Sequence, residues 1–349
     1  MLPGKKTTIT DIALASGLSK TTVSRYINGK RHLMSEETCR RLEQIIDEMD
    51  YHPSTIARGL KSKRSYIVGV VVADILSPWS SSVISGIGEV LLNSRYIPAF
   101  INSDNSAGQE QVILRALFER EIDGLIINAA ADENPYLVEL AQEGLPVVLC
   151  DRVVHGFDFD ISATENDGML RGMLYHLKEQ GYNRVAFFTS PYEHISPRVQ
   201  RLEAYLKYAG ELGLSRDPQG DVYVFDDGRE LERQLARFLD SLSPREVPAI
   251  FGVNSVTTFR VFHAIKDMGL RIPEDMGICG PDDWSWDSGM NWSTAGAVGI
   301  TTMAVNSRAI GEQAAKLLLR RMGGAELPAM SYYAPATLKA RESTAGYVK

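Results

Sequence analysis

The chain has 349 residues, 44% of them hydrophobic, which allows two or three domains with real cores and excludes a disordered or fibrous chain. Its net charge of -7 excludes a protein that coats nucleic acid along its whole length. The charge is uneven, because residues 1–65 carry 12 Lys and Arg against 7 Asp and Glu, whereas the remainder carries 25 against 37. This basic head, with a net charge of +5, predicts a local contact with a polyanion.

The cysteines and the overall hydropathy bear on the compartment. Cys39, Cys150 and Cys279 are far apart and have no spacing typical of a zinc site, so we interpret them as free thiols in a reducing compartment. Nowhere do eighteen apolar residues run together, and the first residues contain no apolar segment typical of a signal peptide. We expect a cytoplasmic protein without a metal or a cofactor.

The first segment of the chain predicts three short helices. Thr8 is placed to cap the first helix with Asp11 as its capping-box partner, and Gly17 ends it. Ser19 is placed to cap the second helix, and an amphipathic third helix follows. Two helices joined by a short turn that contains glycine are typical of a helix-turn-helix, which we assign to residues 1–51.

Residues 52–65 form the next segment, "HPSTIARGLKSKRS". Pro53 is suited to the first position of a short helix, and three basic residues close the segment. A helix of this length is not stable alone in water. We therefore predict a linker that becomes ordered only against a partner.

From residue 66 onward, eight apolar runs alternate with helical stretches. Apolar runs without polar alternation indicate parallel strands that are buried on both faces. We predict an α/β core, residues 66–349, made of two Rossmann-like parallel sheets side by side. Lobe 1 is expected to contain about residues 66–162 and 297–325, and lobe 2 about residues 163–296 and 326–345.

Short polar residues follow most of these apolar runs directly. They are Asp74, Ser103, Asp104, Asp151, Asn254, Asp282 and Asp283. Ligands of open parallel sheets bind outside the carboxyl ends of the strands, so two facing sheets would surround a cleft suited to a ligand with many hydroxyl groups. The alternative is that Asp and Asn are common turn formers after strands.

The second helix, with its hydroxyl groups and basic side chains, is a candidate for reading the DNA major groove. The alternative is an exposed polar helix on a small bundle. The segment "TITDIALASGLSKTTVSRYINGK" closely resembles the helix-turn-helix of the LacI/GalR family of bacterial transcription regulators. The likeness continues through "YHPSTIARGLKSKRSYIVGVVV" to the closing "ARESTAG" and covers essentially the whole chain.

The resemblance implies a set of DNA contacts. Lys20, Thr21 and Arg25 would read base edges, whereas Ser19, Thr22 and Asn28 would mainly contact phosphates, with Thr10 and Ser24 also at the DNA. Leu60 stands where family members insert a leucine pair into the minor groove, accompanied by Ala57 and Arg58. This geometry implies a two-fold dimer on a near-palindromic operator, and the absence of a leucine heptad at the chain end favours a dimer over a tetramer.

The resemblance also implies that the core is a periplasmic sugar-binding fold used as an effector sensor. The expected effector-binding residues are Asp74, Trp79, Ser80, Asp151, Arg198, Arg201, Asn254, Asp282 and Trp284. Two features depart from the family: the stretch "CGPDDWSWDSGMNWSTAGAVGITT" is longer and richer in Trp than usual, and Val305 replaces a polar ligand contact.

Two arginines in one cleft favour an anionic ligand, because a guanidinium group binds a carboxylate through a bidentate fork. The "DDWSW…GITT" stretch is similar to that of members that sense ketogluconates or 2-keto-3-deoxygluconate. We therefore predict a repressor of carbohydrate catabolism genes that senses a sugar acid. The alternative is that Arg201 pairs with an internal carboxylate, while the cleft holds a neutral sugar or a purine.

Two other classes are disfavoured. A periplasmic solute-binding protein would need a signal peptide and would have no basic helix-turn-helix. A sugar-acid enzyme would need catalytic residues, but the sequence contains no phosphate loop, nucleophile elbow or metalloprotease motif. We expect no enzymatic activity.

Overall fold

The computed structural model describes residues 7–27, 29–51, 64–283, 291–294, 298–324 and 327–346. The chain divides into two compact units, which meet in the sequence between Tyr66 and Ile67. Within the described ranges, no helix is both long and apolar enough to span a membrane.

The first unit contains three α-helices among its described residues. They are α1 (Ile9–Ser16), α2 (Lys20–Ile27) and α3 (Glu36–Glu48). The predicted capping box is confirmed, because the Asp11 N–H donates to Thr8 Oγ1 and the Thr8 N–H donates to Asp11 Oδ2 at 2.8 Å. Gly17 ends α1 in the left-handed conformation at φ 67°. Ile12, Val23 and Leu42, one from each helix, are fully buried and hold the bundle together.

The described residues of the second unit form two six-stranded sheets. The first has the order β11-β5-β4-β3-β1-β2, made of β1 (Ile67–Val72), β2 (Ile97–Asn102), β3 (Gly124–Ile127), β4 (Val147–Cys150), β5 (Asp160–Thr164) and β11 (Ser331–Ala334). The second has the order β12-β10-β9-β8-β6-β7, made of β6 (Arg184–Thr189), β7 (Val222–Val224), β8 (Pro248–Gly252), β9 (Gly277–Pro281), β10 (Thr301–Val305) and β12 (Ala336–Lys339). Strand β12 pairs antiparallel with β10, and the other described pairs are parallel.

Helices cover the faces of both sheets. They are α4 (Pro78–Asn93), α5 (Ala107–Phe118), α6 (Pro135–Gln142), α7 (Asn166–Glu179), α8 (Ser196–Glu211), α9 (Gly228–Asp240), α10 (Ser255–Asp267) and α11 (Ser307–Met322). All eight predicted apolar runs are strands, namely β1 to β4 and β6 to β9, so the predicted two-sheet α/β class is confirmed.

The sheet assignment of two later strands differs from the prediction. Residues 297–325 were expected in lobe 1, but β10 pairs with β9 and β12 in the second sheet. Residues 326–345 were expected in lobe 2, but β11 pairs with β5 in the first sheet. A short apolar run identifies a strand, but the sheet that the strand joins depends on its pairing partner. For β11 that partner, β5, lies more than a hundred residues earlier in the chain.

Lobe 1 is the part of the second unit built on the first sheet, and lobe 2 is the part built on the second sheet. Helices α4 and α11 cross in lobe 1 at backbone contact. A Cβ atom on Gly86 would lie 2.2 Å from the Arg308 carbonyl oxygen, and one on Gly311 would lie 2.1 Å from the Val83 carbonyl oxygen. Only glycine fits at these two positions, because any larger side chain would push the helices apart. The tight crossing fixes the start of α4, which lies at the cleft described below.

Candidate functional site

Helix α2 begins with a side-chain cap. Ser19 Oγ accepts a hydrogen bond from the Thr22 N–H at 3.1 Å, and the Ser19 and Thr22 hydroxyl groups lie 2.9 Å apart. The turn before it is closed by Gly17 and by the Leu18 N–H, which donates to Ala13 O at 3.1 Å. The remaining amides at the start of α2 are suited to a phosphate group.

The two faces of α2 differ in character. Val23 and Tyr26 are buried in the core of the bundle, whereas Lys20, Thr21 and Arg25 are exposed. Thr21 and Arg25 lie one helical turn apart and therefore project from the same side. The exposed side of α2 thus presents two cations and a hydroxyl group, as a base-reading helix requires.

The other predicted DNA contacts fall into two groups. Ser19 is exposed, and Thr10, Thr22 and Ser24 are half-buried. Asn28, Ala57, Arg58 and Leu60 lie outside the described residues.

A cleft of about 210 Å³ lies between the two lobes of the second unit. Its lining includes eight of the nine predicted effector-binding residues: Asp74, Trp79, Ser80, Asp151, Arg198, Arg201, Asn254 and Asp282. The ninth, Trp284, lies outside the described residues. These side chains meet because the carboxyl ends of the strands in both sheets face the same space.

Sequence reasoning missed several lining residues: Ser77, Asn105, Asn128, Arg152, Ser190, Ile195, Pro197, Ser255 and Val256. Asn128 and Ser190 follow β3 and β6 directly, so the strand-end rule that identified Asp74 was sufficient to find them. In contrast, three strand-end residues of the prediction, Ser103, Asp104 and Asp283, do not line this cleft.

Asp283 has a structural partner instead. Its carboxylate accepts two hydrogen bonds from Arg341 Nη2, at 2.9 and 3.0 Å. Although burial raises the pKa of Asp283, hydrogen bonds from Arg341, Asn291 and Ser293 outweigh this effect and lower it. Asp283 therefore ties the carboxyl end of β9 to Arg341 through an ion pair.

Arg201 is positioned by two neutral acceptors. Its Nε donates to Asn166 Oδ1 and its Nη1 donates to Val253 O, both at 2.8 Å. Only 7% of Arg201 is exposed. Asn166 is the first residue of α7, and Val253 follows β8, so two elements of lobe 2 orient this guanidinium group.

Arg152 and Arg198 are also held by neutral acceptors. Arg152 donates from Nη1 to Ala129 O at 2.9 Å and from Nη2 to Asn105 Oδ1 at 2.8 Å. Arg198 Nη1 donates to Pro191 O. Among the described residues, no carboxylate lies within ion-pair distance of either group or of Arg201.

These three cations share a weakly solvated space. Burial, together with the charges of Arg152 and Arg201, lowers the pKa of Arg198 to about 10. Burial also lowers the pKa of Arg152, although the Asp151 carboxylate acts against this shift. A ligand carboxylate in the cleft would give Arg198 a partner of opposite charge.

Three carboxylates lie in the same cleft. Asp74 Oδ1 accepts from the Leu76 N–H at 2.9 Å, and Asp282 Oδ2 accepts from the Ser255 N–H at 3.3 Å. Asp151 Oδ1 is buried and has no hydrogen-bond partner among the described residues. Burial raises the pKa of Asp151, against the opposing charges of Arg201 and Arg152.

The remaining predicted cleft residues are held by helix starts. Asn254 caps α10, because its Oδ1 accepts from the Thr257 N–H at 2.8 Å, which leaves its amide group for other partners. Trp79 and Ser80 lie in the first turn of α4. The described residues contain no group of three His, Cys, Asp or Glu side chains that could hold a metal ion.

A basic helix-turn-helix joined to a two-lobed core with a polar cleft defines a DNA-binding regulator that carries a ligand sensor. Residues 8–54 match the family model for bacterial regulatory proteins of the lacI family, and residues 174–344 match a periplasmic binding protein-like domain. The chain belongs to the lacI family and is a ligand-responsive, DNA-binding transcriptional regulator.

Similar proteins support this assignment. The chain is 36% identical over 321 residues to the HTH-type transcriptional regulator KdgR of Bacillus subtilis. This alignment covers 91% of this chain and 92% of the relative. It is 34% identical over 347 residues to the HTH-type transcriptional regulator PtxS of Pseudomonas aeruginosa, covering 99% and 98%. The lac repressor dimer bound to operator and the anti-inducer ONPF shares the fold, with a TM-score of 0.82 at 22% identity, covering 97% of this chain and 99% of that one.

The buried carboxylate of Asp151 generates a stability prediction. A pKa raised in the folded state means that the ionised carboxylate destabilises the fold at neutral pH, and that this cost disappears as pH falls and the group becomes protonated. We expect Asp151→Asn to raise the Tm of the unliganded chain at pH 7, with a smaller gain at pH 4. Asn also accepts the left-handed conformation of this position, φ 67°.

Thermal unfolding followed by circular dichroism measures this effect. The exposed Asp226→Asn serves as the matched control and should leave the Tm unchanged at both pH values. A lower Tm for Asp151→Asn at pH 7 would show that its electrostatic attraction to Arg201 and Arg152 exceeds the cost of burial.

Proposed function

We propose that the protein is a dimeric repressor of carbohydrate catabolism genes that acts in the cytoplasm, and that a sugar acid bound between the two lobes changes its operator affinity. The observation that carries this proposal is the set of three arginines, Arg152, Arg198 and Arg201, which line one cleft without a carboxylate at ion-pair distance among the described residues. The alternative in which Arg201 pairs directly with an internal carboxylate loses support, because its hydrogen bonds go to an amide and a carbonyl group. The Asp151 carboxylate in the same cleft attracts Arg201 through space without forming an ion pair among the described residues.

The rest of the lining suits the hydroxyl groups of a sugar chain. Asp74, Asp282 and the amide group of Asn254 offer acceptors and donors at the strand ends, and Trp79 offers an apolar face. A ligand with a carboxylate at one end and hydroxyl groups along its length would satisfy both the cations and the polar acceptors. A sugar acid has this composition.

The open edge of lobe 1 supports a dimer. Strand β2 is the last strand of the first sheet, and its Ile97 and Phe100 are exposed, as is Leu92 at the end of the neighbouring helix α4. An exposed apolar edge strand is a liability unless another chain covers it. A second copy of this chain would cover it and would supply the second helix-turn-helix for a near-palindromic operator.

Calorimetric titration of the full chain tests the effector. The panel contains gluconate, 2-ketogluconate, 2-keto-3-deoxygluconate, a neutral hexose, ribose and a purine base. We expect saturable binding of at least one acid, weakened at least about tenfold by Arg201→Ala, because a charge-assisted hydrogen bond contributes about 1.5–3 kcal/mol. Binding of only a neutral sugar or the purine would refute the sugar-acid proposal and leave the regulator assignment intact.

The control for this titration is Arg229→Ala, which removes an exposed arginine of α9 outside the cleft. It should bind the acid as the unmodified chain does. Circular dichroism of both variants distinguishes a lost ligand contact from a lost fold.

The base-reading role of Arg25 gives a separate prediction. An operator selected from random DNA with the unmodified chain is compared with a scrambled duplex by fluorescence anisotropy. We expect Arg25→Ala to reduce the preference for the operator about 10- to 100-fold, because a bidentate base contact discriminates by about 1–3 kcal/mol.

The exposed Arg40 on α3, which pairs with Glu36, supplies the control. Arg40→Ala should keep the operator preference. If Arg25→Ala weakened binding to both duplexes equally, Arg25 would contact phosphates and would not read the sequence.

A further inference from the structure

Two of the cleft arginines come from opposite lobes. Arg152 lies in the segment between β4 and β5 of the first sheet, and Arg198 lies on α8, beside the second sheet. Both line the same cavity. Arg201, on the same helix as Arg198, makes both of its hydrogen bonds within lobe 2.

Arg152 is fixed from lobe 1 by a chain of contacts. The buried Glu110 of α5 accepts from the Ala130 N–H and from Asn134 Nδ2, both at 2.7 Å, and so holds the loop after β3. Ala129 of that loop accepts from Arg152. The acceptors that touch the guanidinium group directly are neutral, so its position is set by uncharged groups. The carboxylates of Asp151, Glu110 and Asp74 act on its charge only through space, without an ion pair among the described residues.

Both arginines retain donors for a ligand. A guanidinium group has five N–H donors, of which hydrogen bonds to other described residues use two in Arg152 and one in Arg198. A carboxylate accepts through two oxygens and can therefore receive hydrogen bonds from two guanidinium groups at once.

The lobes touch next to these arginines. The Val153 N–H, one residue after Arg152, donates to Ser196 Oγ at 2.8 Å. A second contact joins the lobes nearby, where His194 Nδ1 lies 2.8 Å from Asp132 Oδ1. Arg152 and Arg198 face each other across this line, and the charge of Arg152 helps to lower the pKa of Arg198.

We propose that Arg152 and Arg198 together hold the carboxylate of the effector and thereby join the two lobes; this inference rests on the sugar-acid effector proposed above. The carboxylate converts repulsion across the lobe boundary into attraction on both sides. The pair consequently selects acids over neutral sugars and favours the closed arrangement of the lobes. Arg201 contributes to ligand binding from lobe 2 alone and does not link the two lobes.

Calorimetry with 2-ketogluconate and 2-keto-3-deoxygluconate, each against the neutral hexose, tests this assignment. We expect Arg152→Gln and Arg198→Gln each to weaken binding of the acid at least about tenfold. The double variant should lose much less than the product of the two single losses, because both groups hold one carboxylate. Affinity for the neutral hexose should not fall in any variant.

Two further readouts exclude a general loss of structure. The Tm of the unliganded Arg198→Gln chain should be equal to or higher than that of the unmodified chain, since a repelled cation is removed. Arg152→Lys keeps the charge without the fork and should bind the acid more tightly than Arg152→Gln, whereas Arg229→Gln should bind normally.

The outcomes separate the two proposals. If an acid binds and requires Arg201, but Arg152→Gln and Arg198→Gln bind it as the unmodified chain does, the bridging assignment is wrong and the proposed function stands. If the single losses multiply in the double variant, the two arginines act separately and do not share one carboxylate. If the unmodified chain binds none of gluconate, 2-ketogluconate and 2-keto-3-deoxygluconate, the proposed function and the assignment both fail.

Discussion

The organisation of the core depends on the passage of the chain between its two sheets. In the described residues the chain crosses at Glu165, Asn306 and Pro335, each a single residue between an element of one lobe and an element of the other. Such short connections keep the carboxyl ends of both sheets facing each other, and the polar residues that end the strands therefore meet in one cleft. They also allow the lobes to rotate about a narrow set of residues, as in hinge closure around a ligand.

Within that cleft, the balance between burial and charge decides what can bind. A charge removed from water is costly unless it is paired, and the structure leaves three guanidinium groups without a carboxylate at ion-pair distance among the described residues. The buried carboxylate of Asp151 is also incompletely paired, since its Oδ1 has no hydrogen-bond partner among the described residues. A ligand that pairs with these groups better in one arrangement of the lobes than in another would shift the lobes toward that arrangement.

Local chemistry made much of this predictable from the sequence. Caps at Thr8 and Ser19 depend on neighbours three residues away, and the buried strands appear as apolar runs. The strand-end rule correctly placed Asp74, Asp151, Asn254 and Asp282 in the cleft. Contacts between distant parts of the chain were not predictable, such as the sheet that β10 or β11 joins and the pairing of Asp283 with Arg341. The position of Arg152 in the cleft was not predictable either, because it follows the left-handed conformation of Asp151.

We expect a ligand in the cleft and DNA at the helix-turn-helix to be energetically coupled. The most direct measurement is the operator affinity of the full chain, by fluorescence anisotropy, with and without a saturating sugar acid. We expect at least about a tenfold change in operator affinity, and the same factor in the affinity for the acid when operator is present, because coupling is reciprocal. An acid that binds the cleft equally well with and without operator, and leaves operator affinity unchanged, would contradict it.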